Sequence, residues 1–307
     1  MVSQGTAKKS QKIRETTGDR VFNTIIYIFI TLIAFSMLYP IINVIAVSLA
    51  DNRDYLSRPW MVFPKVFNFT GYQYIFKNSM FWRSYLNSIF VTAAGTLIGL
   101  ALTALTAYPL SRKELRWKPL FMAIIIFTMV FNAGTIPGYL NMQELGLLNT
   151  YWAQIFPYAF SAFNCILMIN SFRQIPYELI EAAQIDGASE PYIFFRIILP
   201  LSKPVLATIA LFLAVGYWNN YFAAQLYCAL DRDVWPVAMV LKQIMSEAST
   251  AILEAAQDPA AAALASKLGS KTIQYAAVVV TTVPIMCVYP FLQKYFAKGA
   301  MVGGVKG

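Results

Sequence analysis

The sequence predicts an all-α polytopic membrane protein with six transmembrane helices and both termini in the cytoplasm. Three observations carry that expectation: the composition, the spacing of the charged residues, and the uneven placement of lysine and arginine. Of 307 residues, 58% are hydrophobic and 13% charged, against roughly 45–50% and about 25% in soluble domains. The mean hydropathy is +0.54. A chain this poor in charge cannot cover a water-facing surface. The absence of histidine removes the commonest metal ligand and general base. Cys165, Cys228 and Cys287 all fall in apolar stretches, so neither a disulfide framework nor a spaced metal site is expected. Collagen-like, disordered and nucleic-acid-binding classes are excluded by the same composition.

Charged residues leave six long gaps: Val21–Ala50, Ser84–Ser111, Pro119–Gln143, Leu145–Phe172, Pro204–Leu230 and Thr272–Gln293. These hold 30, 28, 25, 28, 27 and 22 residues. About 20 apolar residues span a hydrocarbon core as a helix, and a charge at the centre of one costs roughly 2.5–3.5 kcal/mol on insertion scales. The gaps therefore place helices at about 22–48, 85–110, 119–139, 151–173, 204–227 and 272–293.

Taken in order, a cytoplasmic tail over 1–20 precedes a transmembrane domain over 21–298, and a cytoplasmic tail over 299–307 follows it. The first apolar run is too long for a signal-peptide core of about 7–15 residues, so Ser48-Leu49-Ala50 is not read as a cleavage site. Outer loops fall at 51–83 and 231–271, and the main cytoplasmic loop at 176–203. The second helix carries small residues, Ala93, Gly95, Gly99, Ala101, Thr103, Ala104 and Ala107. These would permit close backbone approach, possible also across a subunit boundary.

Orientation follows from basic residues on alternating sides. The side holding both termini has 15 lysines and arginines and the other has 9, over similar lengths. The positive-inside rule puts the first side in the cytoplasm of a plasma-membrane protein. The net charge of +9 is thus a cytoplasmic-face signal and calls for no nucleic acid.

Polar residues inside the spans have two readings. Asn87, Asn132 and the run Trp218-Asn219-Asn220-Tyr221 either hydrogen-bond between helices or line a water-filled substrate pathway. Aromatic faces and amides of this kind suit sugar rings and hydroxyls.

The loop between the fourth and fifth spans is the most informative. Pro176 suits the first turn of a helix and Gly187 its left-handed cap. A second short helix starts near Glu190–Pro191 and stops before Pro200. Pro191, Phe194, Phe195 and Ile198 fall on one apolar face at i, i+3, i+4 and i+7. Two short, partly apolar helices outside the membrane need covering, either by a partner protein or by the lipid surface.

These residues resemble a known family. Glu181-Ala182-Ala183, then Gly187, then Ile197-x-Leu199-Pro200, is similar to the Glu-Ala-Ala loop of ATP-binding-cassette importer permeases. Leu86-Asn87-Ser88, Ala107-Tyr108-Pro109-Leu110-Ser111-Arg112, Trp218-Asn219-Asn220 and the tail from Gln293 to Gly307 resemble the maltose-type carbohydrate subgroup, most of all the C-type permease of importers for complex oligosaccharides such as aldouronates. The usual Ala-Tyr-Ala is Ala107-Tyr108-Pro109 here.

The resemblance implies a type I importer permease fold and an ATPase-coupling site of Glu181, Ala182, Ala183, Gly187, Glu190, Phe194, Phe195, Arg196, Leu199 and Pro200. In it Glu190–Leu199 docks on an ATPase and Glu181 meets a basic residue there. It also implies a second homologous permease, two ATPase subunits that carry ATP and magnesium, and an external solute-binding protein. Glu247, Glu254 and Asp258 of the outer loop are the candidate contacts for that protein. No cofactor is expected in this chain: Gly269-Ser270-Lys271-Thr272 has the wrong order for a phosphate-binding loop. An ion-coupled carrier needs an ionisable residue inside a span, and an intramembrane enzyme needs an activated nucleophile. Neither is present in the sequence, and the chain is expected to be non-catalytic.

Overall fold

The computed structural model describes residues 16–255 and 270–303. Its elements are helical, and an isolated bridge between Ala50 and Phe67 is the nearest approach to a strand among the described residues.

Helix α1 (Thr17–Ser48) opens with a reciprocal cap: the Thr16 hydroxyl accepts from the Asp19 amide at 3.3 Å, and the Asp19 carboxylate accepts from the Thr16 amide at 2.9 Å. The helix therefore takes in Asp19 and Arg20, which the charge pattern leaves in the tail. It continues through Pro40, and Phe22, Phe29, Leu32, Phe35 and Met37 are bare along it. An apolar helix exposed on nearly every side suits lipid or a partner, not water. Its far end is strapped by the following loop, which contains α2 (Asn52–Ser57) and α3 (Thr70–Lys77). The Asn43 amide donates to the carbonyls of Pro59 and Met61 at 3.0 and 2.8 Å, and the Tyr39 hydroxyl donates to that of Trp60 at 3.0 Å.

Helix α4 (Ser79–Ser111) is the central rod. The Asn78 side chain caps it, accepting from the Met80 amide at 2.9 Å, and the helix runs past Pro109 to its end. Gly95, Gly99, Thr103, Ala104 and Ala107 are buried within the chain, whereas Ala93 and Ala101 are exposed. A Cβ added at Gly95 would lie 2.6 Å from ring carbons of Tyr217, and one at Gly99 2.9 Å from the Ala159 carbonyl oxygen. The close approach at these two glycines is therefore made inside the chain.

The next spans are not straight. Helix α5 (Lys118–Val130) and α6 (Thr135–Glu144) meet at 113°. The Asn132 side chain accepts from the Gly134 amide at 2.8 Å, and Gly134 takes φ +89°. An Asx turn followed by a left-handed glycine ends one helix and redirects the next. Helix α7 (Tyr151–Ile155) tightens into a 3₁₀ turn over Phe156–Tyr158, and α8 (Ala162–Phe172) restarts from the Ser161 cap at 53°.

Helix α9 (Tyr177–Ile185), α10 (Glu190–Ile193), a π turn over Phe194–Ile198 and α11 (Leu199–Leu201) form the large loop. Helix α12 (Lys203–Asn219) leaves it at 81°. The sequence expectation of an unbroken helix to 227 fails at Asn220, whose side chain accepts from the Ala223 amide at 3.0 Å and starts α13 (Tyr221–Tyr227). Helices α14 (Val237–Ala255) and α15 (Ser270–Gly303) complete the order, the latter extending at both ends beyond the expected 272–293.

Helices α8 and α12 pack along α4, and α15 lies against α1, α3, α12 and α14. The largest apolar cluster joins Ala107, Met168, Phe172, Ile193, Phe194, Ile198 and Ile209, near the loop end of the bundle. Among the described residues α1 and α4 are long and apolar enough to cross a membrane unbroken; the bent pairs raise the number to five, and Lys271–Cys287 is a shorter apolar stretch of α15.

Candidate functional site

The loop between α8 and α12 is built around Gly187. The Ala188 amide donates to the Ala183 carbonyl at 2.9 Å and the Gly187 amide to that of Gln184 at 3.0 Å, a Schellman closure of α9. Gly187 sits at φ +80°, a conformation that a β-carbon disfavours. Ala183 and Ala188, the pair such a closure brings together, both pack against the apolar cluster. Ser189 and Pro191 then start α10.

The matched residues divide by direction. Glu181, Ala182, Gly187, Arg196 and Pro200 are exposed, and Ala183 and Leu199 are partly buried. Phe195 is 60% exposed but Phe194 only 5%. A single apolar face on this helix is therefore not what forms. The Leu199 amide bonds back to the Phe194 carbonyl, so the turn is wound as π and its side chains no longer follow a 3.6-residue period. Ile193, Phe194 and Ile198 turn into the core, while Tyr192 and Phe195 stay outside with Ile185, which is 85% exposed. A hollow of about 600 Å³ lies beside the turn, lined by Ala183, Asp186, Gly187, Ala188, Ser189, Tyr192, Arg196 and Ile197.

Glu190 has inward partners. Its carboxylate accepts from the Arg112 guanidinium at 3.0 Å, from the Tyr108 hydroxyl at 2.5 Å and from the Gln184 amide at 3.0 Å. Burial pushes this carboxyl up, but those three donors outweigh it and hold it below the usual carboxylate range. Glu114 accepts a hydrogen bond from the Tyr177 hydroxyl, which holds its carboxyl low as well. Arg112 is buried, stacked against the rings of Tyr108 and Tyr177 at 5.7 and 5.8 Å. Lys118 donates to the Arg112 carbonyl at 2.6 Å and Arg173 to that of Leu110 at 3.4 Å, so basic side chains satisfy the last carbonyls of α4. In the sequence, Tyr108 and Arg112 stand out only by their resemblance to the family pattern. The available signal was an arginine closing a long charge-free run.

The pathway candidates do not come together. The Asn87 amide donates to the carbonyls of Asp233 and Trp235 at 2.7 and 2.9 Å, and its oxygen accepts from Tyr151 at 2.9 Å. It is buried and bolts the outer loop to α4. Trp218 is buried too, its indole donating to the Thr281 carbonyl at 3.1 Å. Asn132 and Asn220 each accept a backbone amide at a helix break. Asn219 and Tyr221 are exposed, and the Lys242 ammonium lies 4.7 Å from the Tyr221 ring centre. Of the outer-loop acids, Glu247 is exposed and accepts from Gln243 at 2.6 Å. The Glu254 side chain and all of Asp258 lie outside the described residues.

The fold is thus an apolar helical bundle with a glycine-capped two-helix loop at one end, the loop that resembles that of ATP-binding-cassette importer permeases. Residues 115–302 match the family described as binding-protein-dependent transport system inner membrane component, and the chain belongs to that family. It is 43% identical over 94% of its length to the polygalacturonan/rhamnogalacturonan transport system permease protein YtcP of Bacillus subtilis (strain 168), of which it covers 99%. Protein LplC of the same strain is also 43% identical, over 96% of this chain and 98% of that one. Among solved structures, a chain of a bacterial ABC transporter involved in the import of the acidic polysaccharide alginate superposes with a TM-score of 0.83 at 34% identity, covering 93% of this chain and 100% of that chain.

Proposed function

We propose that this chain is a membrane subunit of an importer for oligosaccharides, moved between access states by ATPase subunits that dock on the loop around Gly187. The observation that carries the reading is that loop. Its Glu-Ala-Ala helix is closed by a left-handed glycine, and Ile185, Tyr192 and Phe195 stand exposed beside a hollow. Exposed apolar side chains on a segment that also exposes Glu181 and Arg196 fit a protein groove better than water.

Six crossings, with both termini on the ATPase side, account best for the helices. They are α1, α4, the bent α5–α6, the bent α7–α8, α12 with α13, and the apolar part of α15. Glu190 and Arg196 keep α10 and the π turn out of the fifth crossing, and Lys203 marks where it starts, because such charges are costly in hydrocarbon. On this reading ATP and magnesium belong to the partner chains, a second permease completes the pathway, and a solute-binding protein delivers the sugar to the outer loops. The named relatives, one for polygalacturonan/rhamnogalacturonan and one for alginate, point to acidic oligosaccharides as the first substrates to try.

The test is reconstitution of this chain with its partner permease, the ATPases and the binding protein in liposomes. ATP-dependent uptake of oligogalacturonides is the expected result. A chain that captures neither ATPase nor second permease would overturn the assignment.

A further inference from the structure

We propose that Arg112 is a positioning residue of the coupling machinery, clamping the end of α4 to the first turn of α10 so that a push on the loop moves α4 and α12 as one body. The inference rests on the docking reading above and adds a route for the force.

The loop joins α12 through Ser202, where the chain turns by 81°. A push delivered to α10 through that single covalent corner would bend the corner. A second attachment prevents bending, and Arg112 supplies it. Its guanidinium meets Glu190 at 3.0 Å, the Tyr108 hydroxyl meets the other carboxylate oxygen at 2.5 Å, and the Tyr108 ring packs on Phe194 at 5.0 Å. The third side is the α4–α12 seam, where Gly95 and Gly99 admit Tyr217 and Leu213. Three fixed sides make a rigid triangle.

The chemistry also favours arginine at this place. Arg112 is 9% exposed, between two tyrosine rings, and a planar guanidinium can stack there while it bonds a carboxylate. Its buried charge has Glu190 at 3.0 Å as the nearer carboxylate and Glu114 at 3.9 Å as the farther, so separation from Glu190 under load would leave it poorly paired.

The first experiment is a double-mutant cycle in the reconstituted complex. Arg112→Gln and Glu190→Gln should each lower oligogalacturonide uptake per ATP hydrolysed by about tenfold, and the double variant by no more than either, because both remove one link. Arg112→Lys should restore part of the ratio. Unchanged ratios in the single variants, or losses that multiply in the double, would overturn the clamp.

A second measurement needs neither sugar nor motor. With Cys287 replaced by serine, spin labels at Leu86→Cys and Ile185→Cys report the distance from α4 to the loop. The wild-type background should give one narrow distribution. Arg112→Gln should broaden it, as should Tyr108→Phe to a lesser degree if the arginine variant does not fold. Identical distributions in wild type and variant would refute the clamp even where the importer reading stands. A wild-type chain that captures no ATPase but keeps the narrow distribution would refute the docking reading and leave the clamp standing.

Discussion

Gly187 is where one residue's backbone decides the site. Beyond its two neighbours, no atom of the chain lies within 4 Å of the position a β-carbon would take, so within the chain a substitution meets open space and its cost there is conformational. The left-handed region costs an ordinary L residue roughly 1–2 kcal/mol, more for a β-branched one, and asparagine tolerates it best. Gly187→Asn should therefore retain most uptake. Gly187→Val should insert normally but lose uptake, as read by membrane content and a cell-based sugar assay. Equal uptake by the two variants would show that the turn is not required. Glu181 is exposed and forms no salt bridge among the described residues. Glu181→Lys should weaken capture of the ATPases, measured by copurification and by substrate-stimulated hydrolysis. Normal stimulation would remove Glu181 from the contact.

At the scale of the elements, α4 and α12 are held at a separation that only glycine allows. Gly95→Ala drives a methyl into the Tyr217 ring, an overpacking that costs about 1–3 kcal/mol. The expected result is a lower thermal inactivation temperature of the detergent-solubilised chain. Gly95→Ala combined with Tyr217→Leu should lose less than the sum of the two single changes. Strict additivity would mean that the two residues do not touch.

The small-residue stripe in α4 announced close packing but not its partner, because glycine records an approach and not what approaches. The charge gaps located the apolar helices for a related reason: hydrocarbon forbids charge whatever the tertiary arrangement. The breaks at Asn132 and Asn220 were illegible on those terms. An amide in an apolar run looks the same whether it faces a pathway or accepts a backbone amide at the start of a new helix, and here both do the latter, Asn132 from Gly134 and Asn220 from Ala223. The π turn was hidden as well. Phe194 and Phe195 are chemically alike, and one extra residue in the turn sends one inward and the other out. Gly187 was readable because its place at the end of α9 depends on local chain geometry. The pairing of Arg112 with Glu190 depends on where two distant segments meet.

For the whole molecule, α4 gives a ruler. Asn87 anchors the outer loop near one end, and Arg112 anchors the inner loop at the other. The 25 residue steps from one to the other span about 38 Å at 1.5 Å per residue, slightly more than the roughly 30 Å of a hydrocarbon core. Each polar anchor can thus sit in its own interface, with the buried glycines between them in the apolar layer. On the six-crossing reading the ends of the bundle face opposite solutions, and each can be probed in turn. Ile185 projects beside Gly187 at 85% exposure, and Leu230 projects from the opposite end at 90%. With Cys287 replaced by serine and the buried Cys165 and Cys228 retained, a membrane-impermeant maleimide should label Leu230→Cys in intact cells. It should reach Ile185→Cys only after permeabilisation, and ATPase subunits bound to the loop should slow that labelling. Labelling of Ile185→Cys from outside intact cells would put the Gly187 loop on the wrong face for any cytoplasmic motor, and the coupling role of Glu181, Glu190 and Arg112 would fall with it.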